Sequence, residues 1–279
     1  MLVPVPTPAG FTMRTILICL PLLIAACASA PEPKPEQPAP PRESAADELT
    51  PGEAWKEGLR LRDANELEKA YEYLLSAADR GNREAQFEIG LWFMTGDRGL
   101  PEDFKQAAKW IEKAAQQAQP DALTYIWQLY FYGRGVPQND ARAMKWLERG
   151  AGAGLPMSAY YLGLFHYEGI ATSVDHAQAA VWFQDAAAQG VPGACYYLGV
   201  MSLDGDGVEQ SNEDAAYWFE RGAAREHPAS MLALGDLYRD GLGVEQDTAK
   251  AKAWYRKAVG QSEDTEVQAA ASARLKELE

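Results

Sequence analysis

Cysteine and histidine are scarce in this chain of 279 residues, which contains three of each. Cys19, Cys27 and Cys195 are an odd and widely spaced set, so they do not make a disulfide framework. No two histidines have the four-residue spacing of a helical zinc site, and no cysteine pair lies near them. The sequence therefore predicts neither a metal site nor any other cofactor.

The motifs of common enzymes are also missing. There is no Gly-x-Ser-x-Gly nucleophile turn, and the repeated Gly-x-Gly turns lack the third glycine of a dinucleotide site. Asp204-Gly205-Asp206-Gly207 is similar to the start of a calcium loop. However, Val208 and Ala215 stand at the fifth and twelfth positions, where that loop needs oxygen ligands. We therefore expect no catalytic residues and a protein that is not an enzyme.

Basic residues are outnumbered by acidic ones. There are 26 Lys and Arg against 40 Asp and Glu, which gives a net charge of −14 at pH 7. So acidic a surface repels phosphate backbones. Nucleic acid is therefore not an expected partner.

An apolar run of eleven residues, Ile16 to Ala26, follows Arg14 near the amino terminus. A helix that spans a bilayer needs about 20 residues, so this run is typical of a signal peptide instead. It ends in Ile24-Ala25-Ala26-Cys27, which resembles the lipobox of bacterial lipoproteins. The resemblance implies that residues 1–26 are a signal peptide and that Cys27 carries a lipid after cleavage.

Some features of this amino-terminal segment stay open. An ordinary secretory signal with a chance cysteine is the alternative, and translation starts at either Met1 or Met13. Ala28, not Asp, follows Cys27, which resembles the pattern for export to the outer membrane in enterobacteria. We therefore expect a lipid-anchored protein of the bacterial cell envelope, on the outer membrane and facing the periplasm.

Residues 27–50 contain the lipidated cysteine and a proline-rich tether. Six prolines fall between residues 31 and 41. Proline fixes φ and lacks an N–H group, so the tether should be extended and semi-rigid. At ~3.1 Å per residue it could hold the folded part up to ~70 Å from the membrane.

Several residue types recur every 36 positions along the rest of the chain. The tryptophans of this series are Trp110, Trp146, Trp182, Trp218 and Trp254. Proline keeps the same period at Pro120, Pro156, Pro192 and Pro228, and glycine does so at Gly133, Gly169, Gly205 and Gly241. A fixed period of this length indicates a repeat architecture.

Each repeat predicts two helices joined by a glycine-rich turn. The first helix contains a Leu-Gly or Ile-Gly pair, such as Leu198-Gly199, whose glycine implies that another helix backbone passes close by. The second helix is expected to begin near a capping residue and to bury its tryptophan in the core. The capping residues are Asp103, Asn139, Asp175, Ser211 and Asp247.

These motifs resemble the Sel1-like repeat family, which is related to the tetratricopeptide repeats. The resemblance implies an all-α fold, a right-handed α-solenoid of helix-turn-helix repeats. We assign residues 51–82 to a degenerate N-terminal repeat, 83–262 to five Sel1-like repeats and 263–279 to a C-terminal capping helix. Thr265 and Gln268 form a capping-box pattern at the start of that last helix.

In tetratricopeptide relatives the first helices line a concave face that grips peptides, and the resemblance implies the same here. Aligning the Leu-Gly pairs predicts an aromatic groove with an acidic rim, which suits a peptide bearing some basic residues. The alternative at each position is packing against a neighbouring repeat. The predicted exposed groove positions are Phe87, Leu91, Met94, Gln128, Phe131, Tyr132, Tyr160, Leu164, Tyr167, Tyr196, Val200, Leu203, Leu232, Asp236, Arg239 and Asp240.

The leading functional hypothesis is a membrane-anchored, non-catalytic scaffold that binds protein or peptide partners. One alternative is an envelope enzyme, of the kind proposed for cysteine-rich relatives that bind β-lactams. Those relatives have a cysteine pair in each repeat, and this chain has none. The other alternative is a secreted or surface-exposed factor that interacts with a host.

Overall fold

The computed structural model describes residues 45–96, 99–262 and 264–278, so the predicted signal peptide, Cys27 and most of the tether lie outside the described residues. Within these ranges the chain forms thirteen α-helices and no β-strand, which confirms the all-α prediction. In chain order they are α1 Pro51–Asp63, α2 Leu67–Asp79, α3 Arg83–Thr95, α4 Phe104–Gln116, α5 Pro120–Tyr132, α6 Asp140–Gly152, α7 Pro156–Glu168, α8 His176–Ala188, α9 Pro192–Asp204, α10 Asn212–Ala223, α11 Pro228–Asp240, α12 Thr248–Gln261 and α13 Thr265–Glu277.

The described helices belong to two compact units, which meet in sequence between Trp146 and Leu147, inside α6. In the N-terminal unit α1 packs against α2, and α3 packs against α4. In the C-terminal unit the helix pairs are α7 with α8, α9 with α10, and α11 with α12, and α13 closes on α12. Each pair is one helical hairpin, and the core side chains lie between the two helices of a hairpin and against the neighbouring hairpin of the same unit.

The expected capping residues begin the second helices. Asp103, Asn139, Asp175, Ser211 and Asp247 each accept a hydrogen bond from a backbone N–H in the first turn. The prolines of the 36-residue series stand at the starts of α5, α7, α9 and α11. The capping box expected at Thr265 is wrong: Asp264 caps α13, and Gln268 instead donates to the carbonyls of Val259 and Ser262.

One backbone hydrogen bond closes the turn before each of the five second helices that begin at a predicted capping residue. The N–H of the capping residue donates to a carbonyl on the first helix, as from Asn139 to Tyr130 and from Asp247 to Tyr238, both at 2.8 Å. The partner lies nine residues earlier in these hairpins and ten earlier for Asp103, because that turn has one extra residue. This bond fixes where the second helix starts relative to the first.

The glycine of the Leu-Gly pair fits against one side chain of the second helix. A Cβ on Gly235 would lie 2.5 Å from Cε1 of Tyr255, and a Cβ on Gly163 would lie 2.7 Å from Cδ1 of Phe183. Gly199 meets the ring of Phe219 in the same way. The sequence correctly predicted that no Cβ fits, but in these hairpins the obstacle is an aromatic ring and not a helix backbone.

The second glycine of the turn makes contact with the preceding repeat. A Cβ on Gly135, Gly207 or Gly243 would collide with the backbone at the first residue of a second helix, at Phe104, His176 or Asn212 respectively. Each of these glycines also has a positive φ, between 66° and 72°. Glycine is therefore required there both by the conformation and by the space.

The expectation that all five periodic tryptophans lie in the core is only partly right. Trp110 and Trp146 are buried, whereas Trp182, Trp218 and Trp254 are half-buried. The residue after each tryptophan points inward instead, and Phe183, Phe219 and Tyr255 are fully buried. Lysine ammonium groups lie over two of the indole rings, at 4.0 Å for Lys113 on Trp110 and 4.1 Å for Lys257 on Trp254.

We predict that Gly199→Ala destabilises the C-terminal unit. The new methyl group must displace the Phe219 ring, and such overpacking costs about 1–3 kcal/mol. Chemical denaturation followed by circular dichroism would measure this loss. Gly260→Ala is the matched control, because Gly260 is also helical and no atom lies within 4 Å of the position that its Cβ would take. Equal stability of the two variants would contradict the packing role of Gly199.

Candidate functional site

Three predicted groove residues come together in the C-terminal unit, and we call them the tyrosine face: Tyr160 and Tyr167 on α7 and Tyr196 on α9. Their rings surround that of Tyr197, with centroid distances of 6.3, 5.4 and 5.6 Å respectively. Tyr197 stacks in turn on the core residue Phe183 at 5.0 Å. The face is therefore supported by the same ring that fills the glycine contact of its hairpin.

The hydroxyl groups of the tyrosine face are unpaired within the described part of the chain. All three side chains are half-buried, and their hydroxyls make no hydrogen bond with other described residues. Burial raises the pKa of Tyr196 to about 12 and also raises the pKa of Tyr160 and Tyr167. The hydroxyls therefore stay protonated at neutral pH and can donate hydrogen bonds.

Carboxylates lie beside this face. After burial, the main causes that raise the pKa of Tyr167 are the negative charges of Asp206, Asp204 and Glu168. Burial and the charge of Asp206 raise the pKa of Asp204 as well. His176 stacks on Tyr167 at 4.8 Å and places Nδ1 3.6 Å from Asp206 Oδ2. The surroundings of the tyrosines are thus acidic and favour a partner that brings positive charge.

A second histidine, His227, borders the tyrosine face and adds no charge to it. His227 caps α11 through its side chain, and its ring lies 5.6 Å from that of Tyr196. Burial lowers the pKa of His227 to about 4. The imidazole is therefore neutral at pH 7 and acts as a helix cap.

Six of the predicted groove residues are buried, so the expectation that they are exposed is wrong for them. Their side chains pack inside their own unit because the first helices are covered on more than one side. The six are Phe87, Met94, Phe131, Leu164, Val200 and Asp236. Of the others, Asp240 is exposed, and Leu91, Gln128, Tyr132, Leu203, Leu232 and Arg239 are half-buried like the tyrosine face. That any of these residues binds a partner stays a prediction.

Asp236 stabilises the position of the closing helix α13 and does not line a groove. Its carboxylate accepts hydrogen bonds from Tyr255 Oη at 2.8 Å and from Arg274 Nε at 2.5 Å, so it joins α11, α12 and α13. Arg239 Nη1 lies 3.2 Å from the same oxygen and also pairs with the exposed Asp240 at 2.7 Å. Burial raises the pKa of Asp236, and the charge of Arg274 opposes that shift.

The N-terminal unit has a shallow surface hollow, which we call the Met94 depression. It is lined by Met94, Tyr125, Gln128, Leu129, Tyr132 and Arg134, three of which are predicted groove residues. Tyr125, Leu129 and Arg134 were not predicted from the sequence. Arg134 could have been noticed, because it stands in a Gly-x-Gly turn where other repeats have Asp206 or Leu242.

Polar groups in this depression are incompletely paired. The Tyr132 hydroxyl oxygen is buried and has no hydrogen-bond partner. A buried hydroxyl in that state typically costs about 1–3 kcal/mol. The Arg134 guanidinium lies 5.7 Å from the centroids of both the Tyr132 and Phe104 rings and makes no ion pair within the described ranges.

Two absences hold for the described residues alone. In that part of the chain, no group of three or more His, Cys, Asp or Glu residues could hold a metal ion. Nor does any described helix have the length and apolar character needed to cross a bilayer.

Comparison with known proteins identifies the repeats. The Sel1 repeat family matches residues 57–82, 83–118, 128–155, 156–191, 192–227 and 228–262. The first of these segments belongs to the repeat that was predicted to be degenerate. The family match thus spans both units.

Solved structures are similar over most of the chain. One is the c5321 protein, a protective antigen present in uropathogenic Escherichia coli strains and displaying an SLR fold. It is 29% identical to this chain, with a TM-score of 0.76, and the match covers 84% of this chain and 50% of that protein. Another is a Sel1 repeat protein from Oxalobacter formigenes, at 32% identity and a TM-score of 0.68 over 84% of this chain and 67% of that one.

A curated relative is similar over a shorter stretch. It is a component of an ERAD-associated E3 ubiquitin-protein ligase, HRD3A of Arabidopsis thaliana, at 29% identity over 76 residues. Those residues make up 27% of this chain and 11% of the plant protein. The chain therefore spans only a small part of this relative's length.

We predict that Asp236→Ala loosens the end of the C-terminal unit. It removes the acceptor shared by Tyr255 and Arg274, and breaking a buried pair in this way costs about 3–5 kcal/mol. Hydrogen exchange of the α13 amides should become much faster. Asp240→Ala is the matched control, because Asp240 is exposed and its ion pairing within the described ranges is with Arg239 alone. Similar α13 exchange in the two variants would contradict the role given to Asp236.

Proposed function

Because this chain belongs to the Sel1 repeat family, we propose that it is a non-catalytic scaffold that binds protein partners at the tyrosine face. The observation that carries this proposal is the set of three half-buried tyrosines whose hydroxyls have no partner among the described residues. Tyrosine supplies a large, amphipathic contact area and is enriched at protein interfaces. A packing role alone would not require free hydroxyl groups.

The acidic surroundings narrow the chemistry of the partner. Asp204, Asp206 and Glu168 lie close enough to Tyr167 to raise its pKa, so a ligand there meets both aromatic rings and negative charge. Arginine and lysine side chains suit that combination, since they stack on aromatic rings and pair with carboxylates. The partner segment is therefore a peptide or helix that presents basic residues.

The site of action in this proposal is the bacterial envelope, with a lipid on Cys27. The lipobox-like Ile24-Ala25-Ala26-Cys27 supports the anchor, and the prolines at 31–41 support a tether that holds the repeats away from the membrane. We place the protein on the outer membrane, facing the periplasm. A surface-exposed, host-interacting role is the second candidate, because the similar Escherichia coli protein is described as a protective antigen.

Photo-crosslinking in cells tests the tyrosine face. A benzophenone amino acid in place of Tyr167 or Tyr196 should give discrete adducts, which mass spectrometry of the membrane fraction would identify. Because a partner is expected to cover this face, the yield should be well above that from elsewhere on the unit. The same amino acid at Tyr217 is the matched control, since Tyr217 is 50% exposed and lies on α10.

Two results would contradict this function. One is the absence of any adduct from the tyrosine face under conditions in which the protein is abundant. The other is an identical set of adducts from Tyr217, which would mean that crosslinking reports only chance collisions.

The anchor has its own test. Cys27→Ser removes the thiol that accepts the lipid, so the variant should move from the detergent phase to the aqueous phase in detergent partitioning. Cys19→Ser is the control, because Cys19 lies inside the proposed signal peptide and should leave the lipid in place. Protease added to intact cells would then separate the two locations: a periplasmic protein is spared and a surface-exposed one is digested. Retention of Cys27→Ser in the detergent phase would rule out lipidation at this residue.

A further inference from the structure

Basic side chains lie over the rings of three periodic tryptophans. In each case the base stands three residues after the tryptophan, so that the two side chains share one face of the helix. The three pairs, with the distance from the charged group to the ring centroid, are Lys113 on Trp110 at 4.0 Å in α4, Arg221 on Trp218 at 5.3 Å in α10, and Lys257 on Trp254 at 4.1 Å in α12. The attraction between cation and ring is therefore a recurring contact on the second helices.

The tryptophan of α8 has no such cover. Asp185 stands three residues after Trp182, where the other repeats have Lys or Arg. Trp182 is half-buried, and no described residue places a cation over its ring or bonds to its indole N–H. Asp185 is exposed, accepts a hydrogen bond from Gln189 Nε2 at 3.3 Å, and makes no ion pair with a described residue. A ring without a cation and a carboxylate without a counter-charge are thus neighbours on α8.

An exposed apolar side chain borders this pair. Val181 is 52% exposed and lies one turn before Asp185 on the same helix. We call Val181, Trp182 and Asp185 the α8 outer face. Covering Val181 and the outer part of the indole ring would remove apolar surface from water, which is favourable. The α8 outer face therefore offers a partner both apolar contact and one negative charge.

The sequence around the α8 outer face has no Lys or Arg of its own. None occurs between residues 150 and 220, whereas nine Asp and Glu residues do. This stretch contains all of α7, α8 and α9, and so it also contains the tyrosine face. The cation that would complete the pattern at Trp182 is therefore not supplied by the neighbouring helices, and the local charge favours one that comes from outside the chain.

We propose that the α8 outer face binds a helix of a protein partner through one Arg or Lys side chain. The partner's cation lies over the Trp182 ring and pairs with Asp185. An apolar residue one turn away on the partner helix packs against Val181. This inference rests on the proposed scaffold function and deepens it, because it gives the basic partner a second contact on the C-terminal unit.

Fluorine NMR of the full-length protein tests this face. 5-Fluorotryptophan replaces the tryptophans, and Trp182→Phe identifies the Trp182 resonance. The probe is a short helical peptide of Ala and Gln with blocked ends, in which Leu and Arg stand four residues apart. The Trp182 resonance should shift as this peptide is added. The same peptide with citrulline in place of Arg should bind at least about threefold more weakly, because citrulline has a similar shape without the charge.

Variants assign the response to the α8 outer face. Asp185→Lys supplies the missing base within the chain, so the response of Trp182 to the Arg peptide should be lost. Glu245→Lys is the matched control, since it makes the same change of charge at an exposed acid in the turn before α12 and should leave the response in place. Arg221→Asp removes the cation over Trp218 and puts an acid beside it, and should therefore create a second responding resonance.

Equal shifts with the Arg and citrulline peptides would overturn the proposal, as would a Trp182 response that survives in Asp185→Lys. The absence of a Trp218 response in Arg221→Asp would also overturn it. A Trp182 resonance that moves when the protein alone is diluted would show that a second copy of the chain covers this face, which again contradicts the proposal. These results are independent of crosslinking at Tyr167 and Tyr196. A failed titration with successful crosslinking therefore rejects this face and leaves the scaffold function standing.

Discussion

The structure depends on the contact between a glycine in the first helix of a hairpin and a large side chain in the second. The contact recurs in the C-terminal unit between Gly163 and Phe183, between Gly199 and Phe219, and between Gly235 and Tyr255. In the N-terminal unit Gly90 makes the equivalent contact with Ile111. The missing Cβ lets the ring sit directly against the first helix. Because the ring enters from one side, it fixes both the separation and the rotation of the two helices.

That rotation also decides which side chains reach the surface. When Phe183 and Phe219 point inward, the preceding residues Trp182 and Trp218 turn partly toward solvent. On the first helices the same geometry leaves Tyr160, Tyr167 and Tyr196 at the edge of the core, where one side of each ring is supported and the hydroxyl is free. The surface of rigid rings that we propose as the binding surface follows directly from the way each hairpin packs, without a separate loop to build it.

Sequence alone predicted the features that depend on local chemistry. The capping residues of the second helices and the two helices of each repeat follow from side chains and backbone groups that are close together in the sequence. The features that it missed depend on contacts between distant segments. From the sequence Asp236 was predicted to line the groove, but in the structure its carboxylate is bound by Tyr255 and Arg274. The Met94 depression forms only where α3, α5 and the turn after α5 come together. Helical periodicity predicts which residues share one face of a helix. It does not show which of them lie at the half-buried edge of that face and which lie at its buried centre.

The second turn glycine has a consequence for how this chain can change its length during evolution. Gly135, Gly207 and Gly243 each abut a residue that lies 31 positions earlier, at Phe104, His176 and Asn212. Duplication or loss of a complete 36-residue module preserves that register, since every glycine still meets an equivalent helix start. A shift by a few residues would press a side chain into the backbone of the neighbouring module. Gene rearrangement is therefore tolerated in whole modules, and the array is extended or shortened in steps of fixed size.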